Sequence, residues 1–389
     1  MPEPRAVSPL LALPGAVALS RAGLAIADGA EPATAIAAHY GDPVAEQRML
    51  DAGRAIVDLS DRGVITVTGP DRLTWLDSLT SQSLAAIAPG QSAETLLLDP
   101  QGRVEHSIRV VDDGVTAWLL IEAPQTAALA AWLDRMRFML RVEVADVSAR
   151  WATLGQVLPD GSQPAVVPAA PNGVPLLWRD PWASVQAGGW QYAAEAEHPA
   201  AGFAAAEMLI ERERLAEGAA DARSRTGPVA GWLALEALRI AAWRPRFGAE
   251  VDNRTIPHEL DWLRSAVHLT KGCYRGQETV AKVHNLGHPP RRLVMLHLDG
   301  SDALLPEPGA AALREGVTVG IITSSARHHE LGPIALAVVK RSLDPGAPLI
   351  VEAEGVAIAA AQQVIVPPEA GATAAVARIP RLGAVPRTV

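Results

Sequence analysis

The pattern of apolar and polar positions becomes regular after residue 50, where short alternating runs are interleaved with helical periodicity. Apolar residues at every second position predict strands, and apolar residues three or four apart predict helices. Within residues 104–110, apolar positions alternate with Glu105, Ser107 and Arg109, which is typical of a half-buried strand. In the first two thirds of the chain, strands are predicted at 56–59, 64–68, 94–98, 104–110, 115–121, 176–182 and 183–192.

Helical periodicity accompanies these strands. Asp71 follows a Gly-Pro turn and can cap a helix whose apolar face is Leu73, Leu76 and Leu79. Further helices are predicted at 45–51, 125–136, 203–215, 226–244 and 278–284, with Thr226 as one N-cap. Loops are predicted at 159–175 and 216–227. This mixture of strands and helices indicates an α+β fold.

The character of the chain changes from residue 291 onward. Five short strands separated by Gly/Pro turns are predicted, which suggests a small β-barrel. They lie at 293–298, 317–323, 334–339, 349–352 and 356–366. The predicted organisation is an extended N-terminal arm at 1–50, an α+β region of two interleaved subdomains at 51–288, the barrel at 289–367 and a disordered tail at 368–389.

Charge and cysteine content limit the partners and the compartment. The chain has 34 basic and 43 acidic side chains, a net charge of −9, so it offers no global attraction to nucleic acid or to an anionic membrane. The single cysteine, Cys273, excludes an internal disulfide and a Cys-rich zinc site, which favours a reducing compartment and a cytoplasmic location. The Pro-containing N-terminus makes a poor signal peptide, and no membrane span is predicted.

The segment at residues 271–278, KGCYRGQE, is the most distinctive in the chain. Its two glycines allow unusual backbone angles, and a helix is predicted to follow directly. Cys273 therefore lies just before a helix N-terminus with Lys271 and Arg275 nearby, a setting that favours thiolate and a reactive role. The alternative is that Cys273 is a small buried filler in a turn.

Three arginines within eight residues form a second candidate. Arg239, Arg244 and Arg246 could hold a carboxylate or phosphate, and acidic residues at 250, 252 and 259 could bind a heterocycle. The favoured alternative is an Arg/Glu network that clamps a loop between domains. His106 is predicted to be a core histidine, and Trp182 or Trp190 could line a flat ligand site. No metal site is indicated.

At residues 271–278 the chain resembles the YgfZ-type folate-binding proteins, which are relatives of the glycine-cleavage T-protein, the aminomethyltransferase. Their signature, Lys-Gly-Cys-Phe/Tyr-x-Gly-Gln-Glu, is matched in full. Residues 234–259 resemble the helix and following loop of that family, and residues 319–339 resemble its barrel segment. The similarity covers about residues 50–366.

The resemblance implies an aminomethyltransferase-like multi-domain fold around a central site for tetrahydrofolate or a derivative. It implies iron–sulfur enzymes as client partners, including enzymes that modify tRNA, without direct binding of nucleic acid or membrane. Cys273 and Lys271 are then the reactive groups. The residues implied to bind folate are Arg239, Tyr274, Gly272, Gly276, Gln277, Glu278, Ser107 and Trp190.

Two departures from the T-protein bear on activity. That family carries an Asp-Asp pair where this chain has His106 and Ser107, and a final glutamate where this chain has Gln191. Neither serine nor glutamine stabilises a developing ammonium charge as a carboxylate does. Aminomethyl transfer is therefore expected to be weak or absent.

Three hypotheses follow. The first is a folate-binding accessory protein that supports iron–sulfur enzymes. The second is a folate-dependent aminomethyltransferase or demethylase of the T-protein type, which the shared fold motivates, although a fold alone does not carry function. The third is a scaffold with an empty central site, for which Cys273 would be dispensable.

Overall fold

The computed structural model describes residues 7–19, 35–159, 161–194, 198–225, 227–301 and 304–374. Over these residues the chain forms two five-stranded sheets, a closed barrel, a small ribbon of β1 (Val17–Ala18) and β2 (Ala37–His39), and several helices. The α+β class and the C-terminal barrel that the pattern predicts are both confirmed.

The first sheet is antiparallel and has the order β5-β6-β7-β4-β8. Its strands are β4 (Gly63–Thr68), β5 (Ser92–Leu98), β6 (Val104–Asp112), β7 (Thr116–Ile121) and β8 (Glu143–Asp146). Helices α2 (Arg72–Leu79) and α3 (Thr126–Met136) share a buried core with it. Asp71 precedes α2 as expected but makes no side-chain cap, because its carboxylate accepts hydrogen bonds from Arg141 instead.

The second sheet has the order β10-β11-β9-β3-β12. Its strands are β3 (Ile56–Asp58), β9 (Trp151–Val157), β10 (Leu177–Arg179), β11 (Ala205–Glu211) and β12 (Val229–Ala230), and β12 pairs in parallel with β3. Helices α4 (Leu215–Arg225) and α5 (Trp232–Ala241) belong to this half of the molecule. The sheets meet through β5 and β10, where Trp178 Nε1 donates to Ala93 O at 2.8 Å.

The barrel closes in the order β13-β16-β15-β14-β17-β18. Its strands are β13 (Arg291–Leu298), β14 (Ala311–Arg314), β15 (Val317–His328), β16 (Gly332–Lys340), β17 (Leu349–Ala353) and β18 (Val356–Val364). The five predicted strands are all present. The pattern missed β14, a four-residue strand that bridges β15 and β17.

Residues 203–225 were assigned the wrong elements by the pattern. The predicted helix at 203–215 is the strand β11, and the predicted loop at 216–227 contains α4. Five consecutive β11 residues are buried because both faces of the strand are covered: Met208 and Ile210 belong to one core and Leu209 to another, so the alternation that marks a strand is lost. Tertiary packing, rather than periodicity, decides this region.

Two further predictions needed correction. The strand expected at 183–192 is absent, and a 3₁₀ turn (Pro181–Ala183) leads into irregular backbone. The helix expected from 226 begins only at Trp232, since residues 229–230 join the sheet, and it ends at Ala241. Thr226, the expected N-cap, lies outside the described residues.

The expected arm and tail are partly built into the fold. Ile36 packs with Val57, and Leu50 on α1 (Pro43–Asp51) is fully buried, so residues 35–50 are not a free arm. Ala370 lies in the core, and Thr373 Oγ1 donates to His284 O at 3.0 Å, so residues 368–374 are ordered by packing. The rest of the expected tail, 375–389, lies outside the described residues.

One core joins all three parts. Trp182, Trp243 and Trp262 pack with Leu96 of the first sheet and Met295 of the barrel. The irregular stretch 251–276 therefore runs through the centre of the molecule before α7 (Gln277–Leu286) begins. No helix in the described ranges is long and apolar enough to cross a bilayer.

Candidate functional site

The glycines of the 271–278 segment bring α7 against the β5–β6 hairpin. Gly276 is left-handed, with φ +83°, and a Cβ there would lie 2.6 Å from Asp99 O. Gly102 in the hairpin turn, with φ +77°, would place a Cβ 2.9 Å from Thr279. The segment therefore locks helix to hairpin by close backbone approach.

Lys271 has a structural role: it binds backbone carbonyls at and after the end of α2. Its ammonium donates to three backbone carbonyls, those of Asp77 at 2.5 Å, Thr80 at 2.8 Å and Gln82 at 2.8 Å. Burial lowers the pKa of Lys271, although Asp77 Oδ1 at 3.4 Å opposes the shift. The ammonium is directed at these carbonyls rather than at Cys273.

Arg275 is also engaged away from the thiol. It pairs with Glu105 at 2.5 Å, and its guanidinium lies 5.8 Å from the centre of the Trp132 ring. Cys273 is exposed, so the buried-filler alternative is wrong for it. Both cations expected beside the sulfur, Lys271 and Arg275, hydrogen-bond to other groups.

The remaining motif residues divide between packing and solvent. Tyr274 is buried in the central core, which raises its pKa. Gln277 Nε2 donates to Lys271 O at 3.3 Å, and this bond closes the segment on itself. Gly272 and Glu278 are exposed. The segment thus presents Gly272 and Cys273 at the surface of a tightly held loop.

Arg239 is occupied by a charge network. Its guanidinium bonds Glu236, Glu250 and Ser324, and Nη1 reaches Arg244 O at 3.2 Å. Burial alone would lower the pKa of Arg239, but Glu236 and Glu250 outweigh it and raise the pKa. The same contacts lower the pKa of Glu236 to about 2. Arg239 therefore clamps α5 and α6 (Phe247–Glu250) to the barrel and has no donor directed at a ligand.

Arg244 lies at the junction of the two sheets. It bonds Glu94 of β5 at 2.7 Å and Asp180 at 2.9 Å, while its Nη1 is buried with no hydrogen-bond partner among the described residues. Glu94 also accepts from Trp262 at 3.1 Å and Ser265 at 2.6 Å. A cavity of about 300 Å³ opens beside Glu94 and is lined in part by Gln82, Ser265 and His268.

Between the sheets, two arginines share one carboxylate. Arg62 Nη2 lies 3.1 Å, and Arg109 Nε 3.3 Å, from Glu207 Oε1 on β11. Arg62 Nε and Nη1, together with Arg109 Nε, are buried without a hydrogen bond in the described part of the chain. Burial and the proximity of Arg62 lower the pKa of Arg109. The guanidinium groups here are therefore incompletely hydrogen-bonded among the described residues.

Glu122 and Asp61 complete this region. Glu122 at the end of β7 bonds Arg246 at 3.0 Å, and this arginine and Arg109 lower its pKa against the effect of burial. Burial raises the pKa of Asp61 to about 6, despite its neighbour Arg62. We call the group between the sheets the intersheet site; its members are Asp61, Arg62, Glu94, Arg109, Glu122, Glu207, Arg244 and Arg246.

Sequence reasoning missed most of this site. Only Arg244 and Arg246 were singled out, as members of an arginine-rich stretch. One feature of the sequence could have pointed to the site. Arg109 is a charged residue on a predicted strand, and because side chains alternate between the two faces of a strand, its side chain shares a face with Ser107. Ser107 is buried two residues away on β6, whereas Trp190 is 44% exposed and contacts the His284 ring edge-on at 5.1 Å. The structure brings Ser107, but not Trp190, to the β6 surface that carries Arg109.

Comparison with known proteins agrees with this architecture. Residues 36–159 match the GCVT N-terminal domain, and residues 291–367 match the glycine cleavage T-protein C-terminal barrel domain. The aminomethyltransferase of Nostoc sp. is 28% identical over 77% of this chain and 80% of its own length. That of Synechococcus sp. is 27% identical over 82% and 89%.

The solved structure of aminomethyltransferase T from Bartonella henselae has the same fold, with a TM-score of 0.65 and 20% identity over 87% of this chain and 93% of that one. The two sheets and the closed barrel define a protein of the aminomethyltransferase-like fold. Within that class, the pair of matched domains makes the chain a relative of the glycine-cleavage T-proteins.

Proposed function

We propose that the protein binds tetrahydrofolate at the intersheet site and uses it in one-carbon transfer of the aminomethyltransferase type. Aminomethyltransferases of this family bind tetrahydrofolate. The curated relatives named above are aminomethyltransferases, and the chain spans 80% or more of their length. This support favours the second of the hypotheses drawn from sequence over the first.

The observation that carries the proposal is the set of buried guanidinium donors without partners. Arg62, Arg244 and Arg246 each have at least one such N–H group in the described residues. A buried charged donor left unpaired costs free energy, and a bound acceptor restores the loss. Folates offer such acceptors, in the pterin ring and in the carboxylates of the glutamate tail.

The residues present fit a folate in chemical type. Glu94 is a buried carboxylate beside a cavity of about 300 Å³, at the lower end of ordinary ligand pockets. Its carboxylate can accept from the N–H groups of a heterocycle. No described arginine lines this cavity, but Arg244 lies directly behind it, because it bonds Glu94 at 2.7 Å. When bound, tetrahydrofolate supplies the ring nitrogens that carry the one-carbon unit.

The intersheet site also contains carboxylates that the comparison with the T-protein sequence did not take into account. Ser107 replaces a carboxylate of the T-protein, yet Glu94 and Asp61 belong to the same intersheet site. With its pKa near 6, Asp61 is mostly ionised at neutral pH and can accept a proton from an amine donor. Glu122 keeps its charge because Arg246 and Arg109 hold its pKa low.

Calorimetric titration with tetrahydrofolate tests the binding half. We expect a dissociation constant in the range of about 1–100 µM for the wild type and at least about tenfold weaker binding for Arg244→Met. Arg150→Met is the matched control, because Arg150 is an exposed arginine that pairs with Glu211 at 3.3 Å. Absence of binding heat at millimolar ligand would refute the proposal.

The transfer half is tested by following methylenetetrahydrofolate formed from an aminomethyl donor. The proposal expects formation by the wild type and loss in Asp61→Asn. If the wild type binds tetrahydrofolate but forms no product, the protein is a folate-binding protein and the proposed transferase activity is refuted.

A second candidate rests on Cys273. Its thiol is exposed on a loop that Lys271 and Gly276 hold in place. One-carbon transfer does not require an exposed thiol. This placement favours a cytoplasmic YgfZ-type accessory protein whose thiol acts on iron–sulfur enzymes, including enzymes that modify tRNA. Growth of a deletion strain under oxidative stress tests it: rescue by wild type but not by Cys273→Ala supports the role, and equal rescue by both removes it.

A further inference from the structure

A cavity of about 530 Å³ lies on the outer wall of the barrel, beside the segment 251–254 that follows α6. Strands β15 and β16 form its floor. Because side chains alternate across a strand, Ile322 and Val339 point into the core inside the barrel, whereas Ile321 and Val338 point outward. The volume is that of an ordinary ligand pocket. We call this site the barrel-wall cavity.

The floor of the barrel-wall cavity is apolar. Ile321 and Val338 are cross-strand partners, and Val251 packs against the central core from the segment after α6. Val338 is buried, yet its partner Ile321 is 48% exposed. Apolar surface in a concave site of this kind is removed from water when an apolar ligand binds.

One end of the cavity carries two cations on neighbouring strands. Arg291 on β13 and Lys340 on β16 are cross-strand partners, and like charges in that relation are destabilising. Arg291 is compensated, because it pairs with Asp252 at 2.6 Å and with Glu259 at 2.7 Å. Lys340 donates to Thr318 O at 3.0 Å, and within the described residues it forms no ion pair.

The acids that line the cavity do not supply the missing charge. Glu250 accepts from Arg239 at 2.9 Å. Burial would raise the pKa of Asp252, but its hydrogen bonds, with Arg291 the first among them, lower it well below its usual value. Both carboxylates are committed to other cations, so Lys340 is left without a carboxylate partner in the part of the chain that the structure describes.

We propose that the barrel-wall cavity binds a small amphipathic carboxylate, such as a medium-chain fatty acid. The acid group bonds Lys340, and the alkyl chain covers Ile321 and Val338. Val338 is two residues from Lys340 on β16, so the cation and the apolar floor are roughly 7 Å apart. That spacing suits a molecule whose charge lies at one end of an apolar chain. The bound acid also reduces the repulsion between Lys340 and Arg291.

The barrel-wall cavity is separate from the proposed folate site. Among the described residues, its lining shares no member with the intersheet site or with the cavity beside Glu94. The inference therefore does not depend on the proposed function, and each can fail without the other.

A saturation-transfer NMR titration of the full chain with octanoate tests the ligand class. At constant ionic strength, the wild type should bind octanoate with a dissociation constant on the order of 0.1–1 mM, since an open cavity buries only part of the alkyl chain. Octylammonium has the same chain with the opposite charge, and acetate has the charge without the chain. Each should bind at least about tenfold more weakly than octanoate. No transfer to octanoate at about 10 mM, or equal binding of octylammonium, would overturn the proposal.

Substitutions at exposed positions locate the site. Lys340→Gln should weaken octanoate binding about tenfold, and Lys282→Gln on α7 is its matched control. Ile321→Asp should weaken binding by at least about tenfold. Ile350→Asp should leave binding unchanged, because Ile350 is 41% exposed on β17 and does not line the cavity. Thermal midpoints near that of the wild type confirm that all four variants fold. A variant that binds octanoate as well as its control would place the ligand elsewhere and refute the proposal.

Sedimentation velocity examines a different occupant, a second copy of this chain. The wild type should keep one sedimentation coefficient between about 5 and 200 µM. A concentration-dependent dimer that Ile321→Asp dissociates would mean that another copy fills the cavity, and the carboxylate proposal would then be wrong.

Discussion

The intersheet site and the 271–278 segment both hold buried cations, but they satisfy them differently. Lys271 donates to three backbone carbonyls, and Arg239 nearby in the core is similarly saturated by Glu236, Glu250 and Ser324. Arg62, Arg109 and Arg244 instead keep buried donor atoms without partners in the described residues. Saturated cations stabilise the fold, whereas unsaturated ones are available to a ligand.

A recognisable sequence motif does not necessarily form a ligand-binding site. The 271–278 segment is the most recognisable part of the sequence, yet five of its residues pack or close a loop. The intersheet site has no sequence signature, yet it carries the incomplete pairing typical of ligand binding. Four substitutions test this difference between the two regions.

The largest effect is expected from Arg239→Met. Removing one partner of a buried ion pair leaves uncompensated carboxylates, here Glu236 and Glu250, and costs about 4 kcal/mol of unfolding free energy. Chemical denaturation measures it. Arg109→Met is the control: since Glu207 keeps Arg62, its stability should fall by less than about 1 kcal/mol. Equal losses of unfolding free energy in the two variants would contradict the difference between fully and incompletely hydrogen-bonded arginines.

Lys271→Met should cost slightly less, about 3 kcal/mol, because three carbonyls lose a charged donor. The midpoint of urea unfolding reports the change. Lys282→Met on the exposed surface of α7 is the control and should be nearly neutral. If Lys271→Met were as mild as the control, the clamp role would be wrong.

Gly276→Ala should destabilise by about 2 kcal/mol, since an alanine must adopt φ +83° and its Cβ meets Asp99 O. Gly272→Ala separates backbone strain from simple side-chain addition, because no atom lies within 4 Å of its Cβ position. The thermal midpoints of the two variants should therefore differ clearly, and equal midpoints would contradict the structure.

The last change concerns the pH dependence of stability. The pKa of Asp61 rises from 3.8 to about 6 on folding, so the folded state binds the proton more tightly than the unfolded chain does. The stability gained from protonation is present below about pH 4 and is lost as the pH rises to about 6. Asp61→Asn should remove this part of the pH dependence, measured by urea unfolding at pH 4, 5, 6 and 7. Unchanged dependence in the variant would place the titration elsewhere.

Local patterns predicted much of the fold. Alternation identified most strands of the first sheet, and short strands between Gly/Pro turns identified the barrel. The same reasoning failed at 203–225, because β11 is buried on both faces and loses its alternation. It failed again at β14, whose four residues carry too little pattern.

The site was less predictable than the fold. Arg109 and Glu207 are 98 residues apart in the chain and meet only because the two sheets face each other. The amino-acid order places Lys271 and Arg275 beside Cys273, but it does not predict that their hydrogen-bond partners come from α2 and β6. Distance along the chain therefore does not predict which charged groups pair.

Local periodicity and turn chemistry suffice to predict the α+β class, the barrel and the positions of most strands. They left open whether Cys273 is exposed, which the fold answers. Which charges pair depends on which distant strands become neighbours, so it follows from the folded arrangement and not from local pattern. The incompletely hydrogen-bonded arginines of the intersheet site are a consequence of that arrangement.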